Sequence, residues 1–178
     1  SEKLKEYGAQ NIVVDPVMVS TSGSRLLERD AADALIEMLL PLAEIITPNI
    51  PEAEVLSGIR IRDREGMKEA ARIITRSTGT NILIKGGHFP EEADDLLVRR
   101  DGREKWFLAA RIDNPNTHGT GCTLSSAIAC GLAEGLSVEE SVRAAKDYIT
   151  DALKSGLDLG RGSGPLDHCC RLRKQVAK

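Results

Sequence analysis

Short apolar runs alternate with longer stretches of helical periodicity along the chain of 178 residues. Three of the runs have the length and composition of buried parallel strands, and each ends in polar or turn-forming residues. They are NIVVDP (11–16), EIITP (44–48) and NILIKGG (81–87). Two further runs, 95–100 and 104–110, are joined by Asp101-Gly102 and predict an antiparallel pair with a two-residue hairpin turn.

Apolar residues recur at three- and four-residue intervals between these strands, which predicts helices. A helix that includes Leu35 and Leu39 is expected to end at Pro41, because proline cannot continue the hydrogen-bond ladder. The next helix is expected to begin at Pro51 and to stop at Gly58.

Three later helices carry sequence signals at their ends or along one face. Asp63 is a predicted N-cap, and Ser137 with Glu140 has the spacing of a capping box. Between them, a helix is predicted over about Gly121 to Glu134, with Cys130 on its buried face.

Strands that alternate with helices imply an α/β fold with a mostly parallel sheet, covered by helices on both faces. We expect a single domain over residues 1–178. Ligands of such sheets lie beyond the carboxyl ends of the strands. Polar segments follow three predicted strands there, at Asp15-Pro16, Asn49 to Glu52 and Lys85 to His88.

Composition narrows the classes of function. Hydrophobic residues make up 41% and charged residues 29%, and the net charge is −3. A chain with a net negative charge is a poor partner for nucleic acid or an anionic membrane surface, since both attract basic patches, and no apolar run is long enough to span a bilayer. No secretory signal is visible, so we expect a cytoplasmic protein with reduced thiols. Because the chain opens on Ser1, we expect that an N-terminal portion is missing.

The segment NTHGTGCTLSSAIACGLAEG (116–135) is the most informative motif. Gly119 and Gly121 permit a sharp turn, and the N–H groups of Gly119, Thr120, Gly121 and Cys122 fall at the start of a predicted helix. Unpaired donors and the positive end of the helix dipole favour an anion there. The alternative is an ordinary loop-to-helix junction.

Two side chains near these glycines can take part in chemistry. A thiol at the position of Cys122 is favoured as the thiolate and can act as a base or nucleophile; the alternative is a small buried residue. Lys85, followed by two glycines, can reach a phosphate as a point charge; the alternative is a surface lysine.

Asp15 and Glu52 are carboxylates at predicted strand ends and suit Mg²⁺, held directly or through water. Either one alone is more often a solvated or capping group. Together with Lys85 and an anion-binding helix end, all predicted at one edge of one sheet, they form the set that phosphoryl transfer requires.

These residues resemble a known family. They are similar to the hydroxymethylpyrimidine and phosphomethylpyrimidine kinases of thiamine biosynthesis, within the ribokinase-like superfamily. The resemblance covers nearly the whole chain and rests on DPVMVSTSGSRLL (15–27), TPNIPEAEVLSG (47–58), ILIKGGH (82–88), the motif at 116–135 and GSGPLDH (162–168). Most ribokinase-like enzymes carry Asp where this chain has Cys122.

The resemblance implies a role for each matching position, with ATP and Mg²⁺ as cofactors. The backbone from Gly119 through Thr120 and Gly121 to Cys122 matches the anion hole for the transferring phosphate, and Cys122 occupies the catalytic position. The remaining matches are Lys85 for the ATP phosphates, Asn49 and Glu52 for the Asn-x-x-Glu motif linked to Mg²⁺ and phosphate, Asp15 for the same network, and Val17 for the pyrimidine pocket.

The family's N-terminal third supplies the first strands and much of the acceptor pocket, and this chain begins after that region. The resemblance therefore implies a fragment of a kinase that phosphorylates hydroxymethylpyrimidine, its monophosphate or both, as a homodimer with a small-molecule substrate. Two alternatives stay open: pyridoxal kinase, and a non-catalytic domain that senses a pyrimidine or thiamine ligand.

Overall fold

In this computed structural model the described residues are 1–18, 26–87, 94–109, 112, 114, 119–157, 159, 161 and 164–172. Most of the Gly/Ser-rich loop at 19–27, together with His88 and the first residues of the 116–135 motif, lies outside them. The chain divides into two compact units, Ser1–Arg111 and Ile112–Lys178. The single domain over 1–178 stays a prediction.

The first unit is built on a five-stranded sheet with the order β1-β2-β3-β4-β5. Its strands are β1 (Val13–Val14), β2 (Ile45–Ile46), β3 (Asn81–Ile84), β4 (Asp95–Val98) and β5 (Glu104–Phe107). The first three are parallel, and β3-β4 and β4-β5 are antiparallel. The α/β class and the antiparallel pair are confirmed, but the sheet is mixed rather than mostly parallel.

Four helices belong to this unit: α1 (Glu2–Glu6), α2 (Arg29–Ala34), α3 (Ile50–Ser57) and α4 (Arg64–Thr78). The predicted end of α3 at Gly58 and the predicted N-cap of α4 at Asp63 are confirmed, whereas α3 begins at Ile50, one residue before the predicted Pro51. The Asp63 side chain accepts a hydrogen bond from the amide of Gly66, and Gly58 ends α3 in the left-handed conformation. Along α4 the apolar side chains of Met67, Ala70, Ala71 and Ile74 lie on one face and are at most 1% exposed.

The helix expected up to Pro41 has a different form. The α-helical part ends at Ala34, a π-type turn follows over Leu35–Leu39, and a tight 3₁₀ turn over Leu40–Leu42 contains Pro41. Proline at the start of a helical turn loses no hydrogen bond, because that N–H has no partner in the turn. Pro41 therefore opens the last turn instead of ending the helix.

Both faces of the sheet are buried. On one face, Ile46, Ile82 and Ile84 pack with residues of α3 and α4 in a single hydrophobic cluster. On the other face, Leu83 and Leu97 are also fully buried. Burial on both faces explains why these strands are continuous apolar runs without alternation.

The β4-β5 hairpin has a three-residue loop, which corrects the predicted two-residue turn. The amide of Arg99 donates to the carbonyl of Arg103, and the amide of Gly102 donates back to Arg99. Gly102 has a φ of +83°. A tight turn followed by a left-handed glycine is the usual three-residue solution, so Asp101-Gly102 marked the hairpin correctly but not its length.

The second unit contains α5 (Thr120–Ala133) and α6 (Val138–Lys154). The predicted capping box of Ser137 and Glu140 at the start of α6 is confirmed. The two helices approach closely at Gly131, where an added Cβ would lie 2.9 Å from the Ser141 Oγ. In neither unit is any described helix long and apolar enough to cross a membrane.

Candidate active site

The carboxyl ends of β1, β2 and β3 lie side by side and carry three of the predicted site residues. Asp15 follows β1, Asn49 lies three residues beyond β2, and Lys85 follows β3 directly. Asn49 and Lys85 are paired as parallel bridge partners, and the Lys85 amide donates to the carbonyl of Pro48 at 2.9 Å. Parallel strands deliver these side chains to one edge of the sheet, as the sequence predicts.

Lys85 and Asp15 form an ion pair across this edge. The Lys85 Nζ lies 2.7 Å from the Asp15 Oδ1, and the two side chains are 17% and 13% exposed. The hydroxyl of Thr47 donates to the same Oδ1 at 3.3 Å. An ammonium has three donors, so Lys85 keeps donor capacity for an anionic ligand while it neutralises Asp15.

Glu52 connects helix α3 to the segment after β1. Its Oε2 accepts from the Asn49 amide at 2.8 Å, while the Asn49 Oδ1 accepts from the Glu52 amide at 2.9 Å. Its Oε1 accepts from the amide of Met18 at 3.3 Å. Both oxygens of a side chain that is only 3% exposed are therefore engaged by backbone donors.

Gly86, which follows Lys85, is held by Asp95 at the start of β4 and approached closely by the backbone of Asp94, and the sequence did not predict either contact. The Asp95 Oδ1 accepts from the Gly86 amide at 2.9 Å. A Cβ at Gly86 would lie 1.8 Å from the carbonyl oxygen of Asp94, so no side chain fits there. The signal in the sequence was a pair of carboxylates that opens an otherwise apolar strand.

In the second unit, Gly119 is the N-cap of α5, with a φ of +83°. Thr120, Gly121 and Cys122 are the first three helical residues, as the motif predicts. Gly119 has no side chain to cap the helix, and first-turn amides have no acceptor within the helix. The arrangement suits an anion, through the donors and the helix dipole together.

Cys122 is exposed, and so is Cys130, which corrects the expected burial of Cys130. The two cysteines are eight residues apart on α5, so they are separated by about 80° around the helix axis. Leu124, Ile128 and Leu132 form the buried side instead. Cys130 has apolar neighbours in the sequence, but its angle around the helix axis places it away from the buried side.

The expected Mg²⁺ ligands do not form a metal site by themselves. Asp15 is neutralised by Lys85, and both Glu52 oxygens accept backbone hydrogen bonds. Within the described part of the chain, no three His, Cys, Asp or Glu side chains are grouped so that they could hold a metal ion. The donor set therefore disagrees with direct binding of Mg²⁺ by Asp15 and Glu52.

Comparison with protein families shows where this arrangement belongs. Residues 1–167 match the phosphomethylpyrimidine kinase family. The chain belongs to that family. The match includes residues of both compact units. The matched sequence therefore contains the ion pair of Lys85 and Asp15 as well as the helix start at Cys122.

Relatives of the phosphomethylpyrimidine kinase family support this result. A hydroxymethylpyrimidine/phosphomethylpyrimidine kinase of Streptomyces coelicolor is 49% identical over 157 residues, 88% of this chain and 58% of that protein. The structure of phosphomethylpyrimidine kinase from Clostridium difficile superposes with a TM-score of 0.73 at 44% identity, and covers 85% of this chain and 61% of that one.

An ADP complex of Bacillus subtilis pyridoxal kinase has a TM-score of 0.84 at 37% identity, over 97% of this chain and 64% of that one. The chain spans less than two thirds of the length of these kinases. The likeness establishes the ribokinase-like fold class that the sequence predicts.

Val17 is the remaining residue that the resemblance assigns to the site. It lies directly before Met18, in the segment that Glu52 contacts. Val17 is 49% exposed and has a φ of +35°. A β-branched residue rarely adopts this left-handed conformation. The strained backbone was not visible in the sequence, which supplied only the resemblance to a pocket residue.

Proposed function

We propose that the whole protein transfers the γ-phosphoryl group of ATP to hydroxymethylpyrimidine, to its monophosphate, or to both, in thiamine biosynthesis. The observation that carries the proposal is the ion pair of Lys85 and Asp15 at the carboxyl ends of parallel strands, in a chain of this kinase family. The ammonium keeps donors for a phosphate, and a strand end is where such sheets bind ligands.

In this proposal the first-turn amides at Gly119, Thr120, Gly121 and Cys122 bind the transferring phosphate. The Cys122 sulfur takes the proton of the acceptor hydroxymethyl group. The acceptor oxygen forms a bond to the γ-phosphorus as the bond to the bridging oxygen breaks, and ADP leaves with that electron pair. Because such transfers have loose transition states, positioning and charge stabilisation by Lys85 contribute more than the base.

Asn49 supports the phosphate site in this scheme by fixing the backbone beside Lys85, its bridge partner. Mg²⁺ enters with the family resemblance as the counter-ion of ATP. Val17 lines the pyrimidine pocket. A homodimer, which the resemblance implies, and a cytoplasmic location complete the proposal.

Pyridoxal kinase is the second candidate, favoured by the TM-score of 0.84 to an enzyme of that name. Both acceptors are flat heteroaromatic rings that carry a hydroxymethyl group, so one arrangement of phosphate-binding groups serves either. The relative from Streptomyces coelicolor, named for the pyrimidine, has the higher identity of 49% against 37%. We therefore rank the pyrimidine first.

The proposal is tested by product analysis with the full-length protein. Purified protein is incubated with Mg-ATP and hydroxymethylpyrimidine, and the products are identified by mass spectrometry. The expected result is a mass increase of one phosphate, or of two in succession, that requires ATP and is absent without protein. ADP formation with no phosphorylated pyrimidine would contradict the proposal, and so would the absence of any ATP consumption.

A further inference from the structure

We infer that Glu52 is a positioning residue that holds the backbone of Val17 and Met18, and that it does not bind Mg²⁺. The inference rests on the proposed function in one respect, the place of Val17 in the acceptor pocket. This positioning role differs from the link to Mg²⁺ and phosphate that the family resemblance implies for the Asn-x-x-Glu motif.

The two carboxylate oxygens of Glu52 serve two different segments. Oε2 closes the capping box with the Asn49 amide, and Oε1 reaches the Met18 amide, 34 residues earlier in the chain. A capping box needs only the first of these contacts. The second contact therefore ties the start of α3 to the segment that follows β1.

Met18 is held through both of its backbone polar groups. Its amide donates to Glu52, and its carbonyl accepts from the Leu26 amide at 2.9 Å. The side chain is 3% exposed, so Met18 is anchored by packing as well. The neighbouring Val17 is 49% exposed, so the anchored residue is buried while the residue beside it faces outward.

The conformation of Val17 explains why an anchor is needed. Its φ of +35° is unfavourable for a β-branched side chain, and such a conformation persists only where surrounding contacts enforce it. The hydrogen bond from the Met18 amide to Glu52 lies at the next peptide unit and fixes the direction in which the chain leaves Val17. Strained residues of this kind cluster at ligand-binding positions.

The surroundings of Glu52 suit an anchor better than a metal ligand. Its carboxylate is 3% exposed and already accepts two backbone hydrogen bonds. The other expected metal ligand, Asp15, is paired with Lys85 at 2.7 Å, and a nearby ammonium opposes a divalent cation. A buried carboxylate that receives backbone N–H donors is charge-compensated without a metal.

The direct test is backbone amide exchange in the full-length protein, measured by NMR for wild type and Glu52→Gln. Glutamine offers one acceptor oxygen, and its NH₂ group faces a second backbone donor. Exchange at the Met18 or the Asn49 amide is therefore expected to accelerate at least about tenfold. Glu69→Gln, the same change at an exposed position on α4, is the control and should leave both amides as in wild type.

Steady-state kinetics separate an anchor from a metal ligand and from a residue that only stabilises the fold. For Glu52→Gln we expect a higher KM for the pyrimidine, with the KM for ATP and the Mg²⁺ activation midpoint unchanged. A shifted Mg²⁺ midpoint with wild-type exchange at Met18 and Asn49 would overturn the inference. A lower kcat with both KM values unchanged would overturn it as well.

Glu52→Asp serves if Glu52→Gln does not fold. Aspartate keeps the charge but is one methylene shorter, so the contact with Met18 is lost before the one within α3. Faster exchange at Met18 supports the inference, and wild-type exchange there contradicts it. If the wild-type protein phosphorylates no pyrimidine, the proposed function fails, while the exchange measurement still decides whether Glu52 is the anchor.

Discussion

The Lys85 ammonium is expected to act both on Asp15 and on the phosphates of ATP. In Lys85→Met, Asp15 loses its partner at 2.7 Å and keeps, among the described residues, only Thr47, which is expected to cost about 1–3 kcal/mol of folding free energy. The KM for ATP should rise more than the KM for the pyrimidine. Thermal melts and steady-state kinetics measure the two effects separately.

The double variant Lys85→Met/Asp15→Asn is the control for this prediction. Asparagine leaves no uncompensated carboxylate, so the melting temperature should recover towards wild type. ATP use should stay impaired, because the phosphate-binding charge is still absent. A single Lys85→Met variant with wild-type kinetics for ATP would remove Lys85 from the site and leave it a structural role only.

Cys122 is expected to contribute to turnover and not to nucleotide binding. Cys122→Ser should keep the KM for ATP, because the anion-binding groups are backbone amides. Its kcat should fall by about a hundredfold, since a serine hydroxyl is a poor base. Cys122→Asp should retain partial activity, because most enzymes of the ribokinase-like superfamily, which this chain resembles, carry Asp at the position of Cys122. A Cys122→Ser enzyme as fast as wild type would reduce the thiol to a packing residue.

Protection from alkylation tests the same position without a turnover assay. Cys122 and Cys130 are both exposed, so exposure alone does not distinguish their reactions with an alkylating agent. ATP should slow the modification of Cys122 and leave Cys130 and Cys169, which are also exposed, unaffected, with the modified residues identified by peptide mass spectrometry. Equal rates at Cys122 with and without ATP would contradict nucleotide binding at this helix start.

The sequence predicted the polar residues of the strand ends well and their partners poorly. Asp15, Asn49 and Lys85 were found because a strand end is recognisable from an apolar run that stops at a polar residue. The contacts of Asp95 with Gly86 and of Glu52 with Met18 were not found. They join residues distant in sequence or on different elements, and no local pattern records them.

The packing of α5 on α6 gives a prediction at the scale of elements. Gly131→Ala should destabilise the protein, because the new Cβ would lie 2.9 Å from the Ser141 Oγ and 3.1 Å from the Ser141 Cα. The helices must separate or shift, at a cost of about 1–3 kcal/mol. This exceeds the gain of about 1 kcal/mol that alanine brings to a helix interior.

Ser141→Ala is the matched variant on the facing helix. The Ser141 hydroxyl is buried and has no hydrogen-bond partner among the described residues. Its removal should therefore leave stability unchanged or raise it by up to about 1 kcal/mol. The melting temperature should fall in Gly131→Ala and should stay the same or rise in Ser141→Ala. A Gly131→Ala protein that is more stable than wild type would contradict the close approach of the helices.

Helices with strong local signals were predicted to within a residue or two, and those that depend on context were not. Asp63, Ser137 and Gly58 identified helix ends because each satisfies or releases backbone groups locally. The π-type turn over Leu35–Leu39 and the three-residue hairpin loop have no such signature. Their form depends on how the chain packs against the sheet and on how the strands twist.

At the scale of the whole molecule, this chain spans less than two thirds of the length of the kinases to which it is similar. The residues proposed to bind ATP and phosphate lie within the chain, which does not cover the whole length of these relatives. The preference for an acceptor is therefore a property of the full-length protein, and the sequence of this chain predicts it only through resemblance.

The acceptor preference is measured by the ratio of kcat/KM for hydroxymethylpyrimidine to kcat/KM for pyridoxal, with full-length protein and saturating Mg-ATP. We expect a ratio well above one, with both activities lowered in Lys85→Met. A ratio below one would contradict the pyrimidine assignment in favour of pyridoxal. Turnover of neither acceptor by a folded protein that binds ATP would contradict the kinase itself.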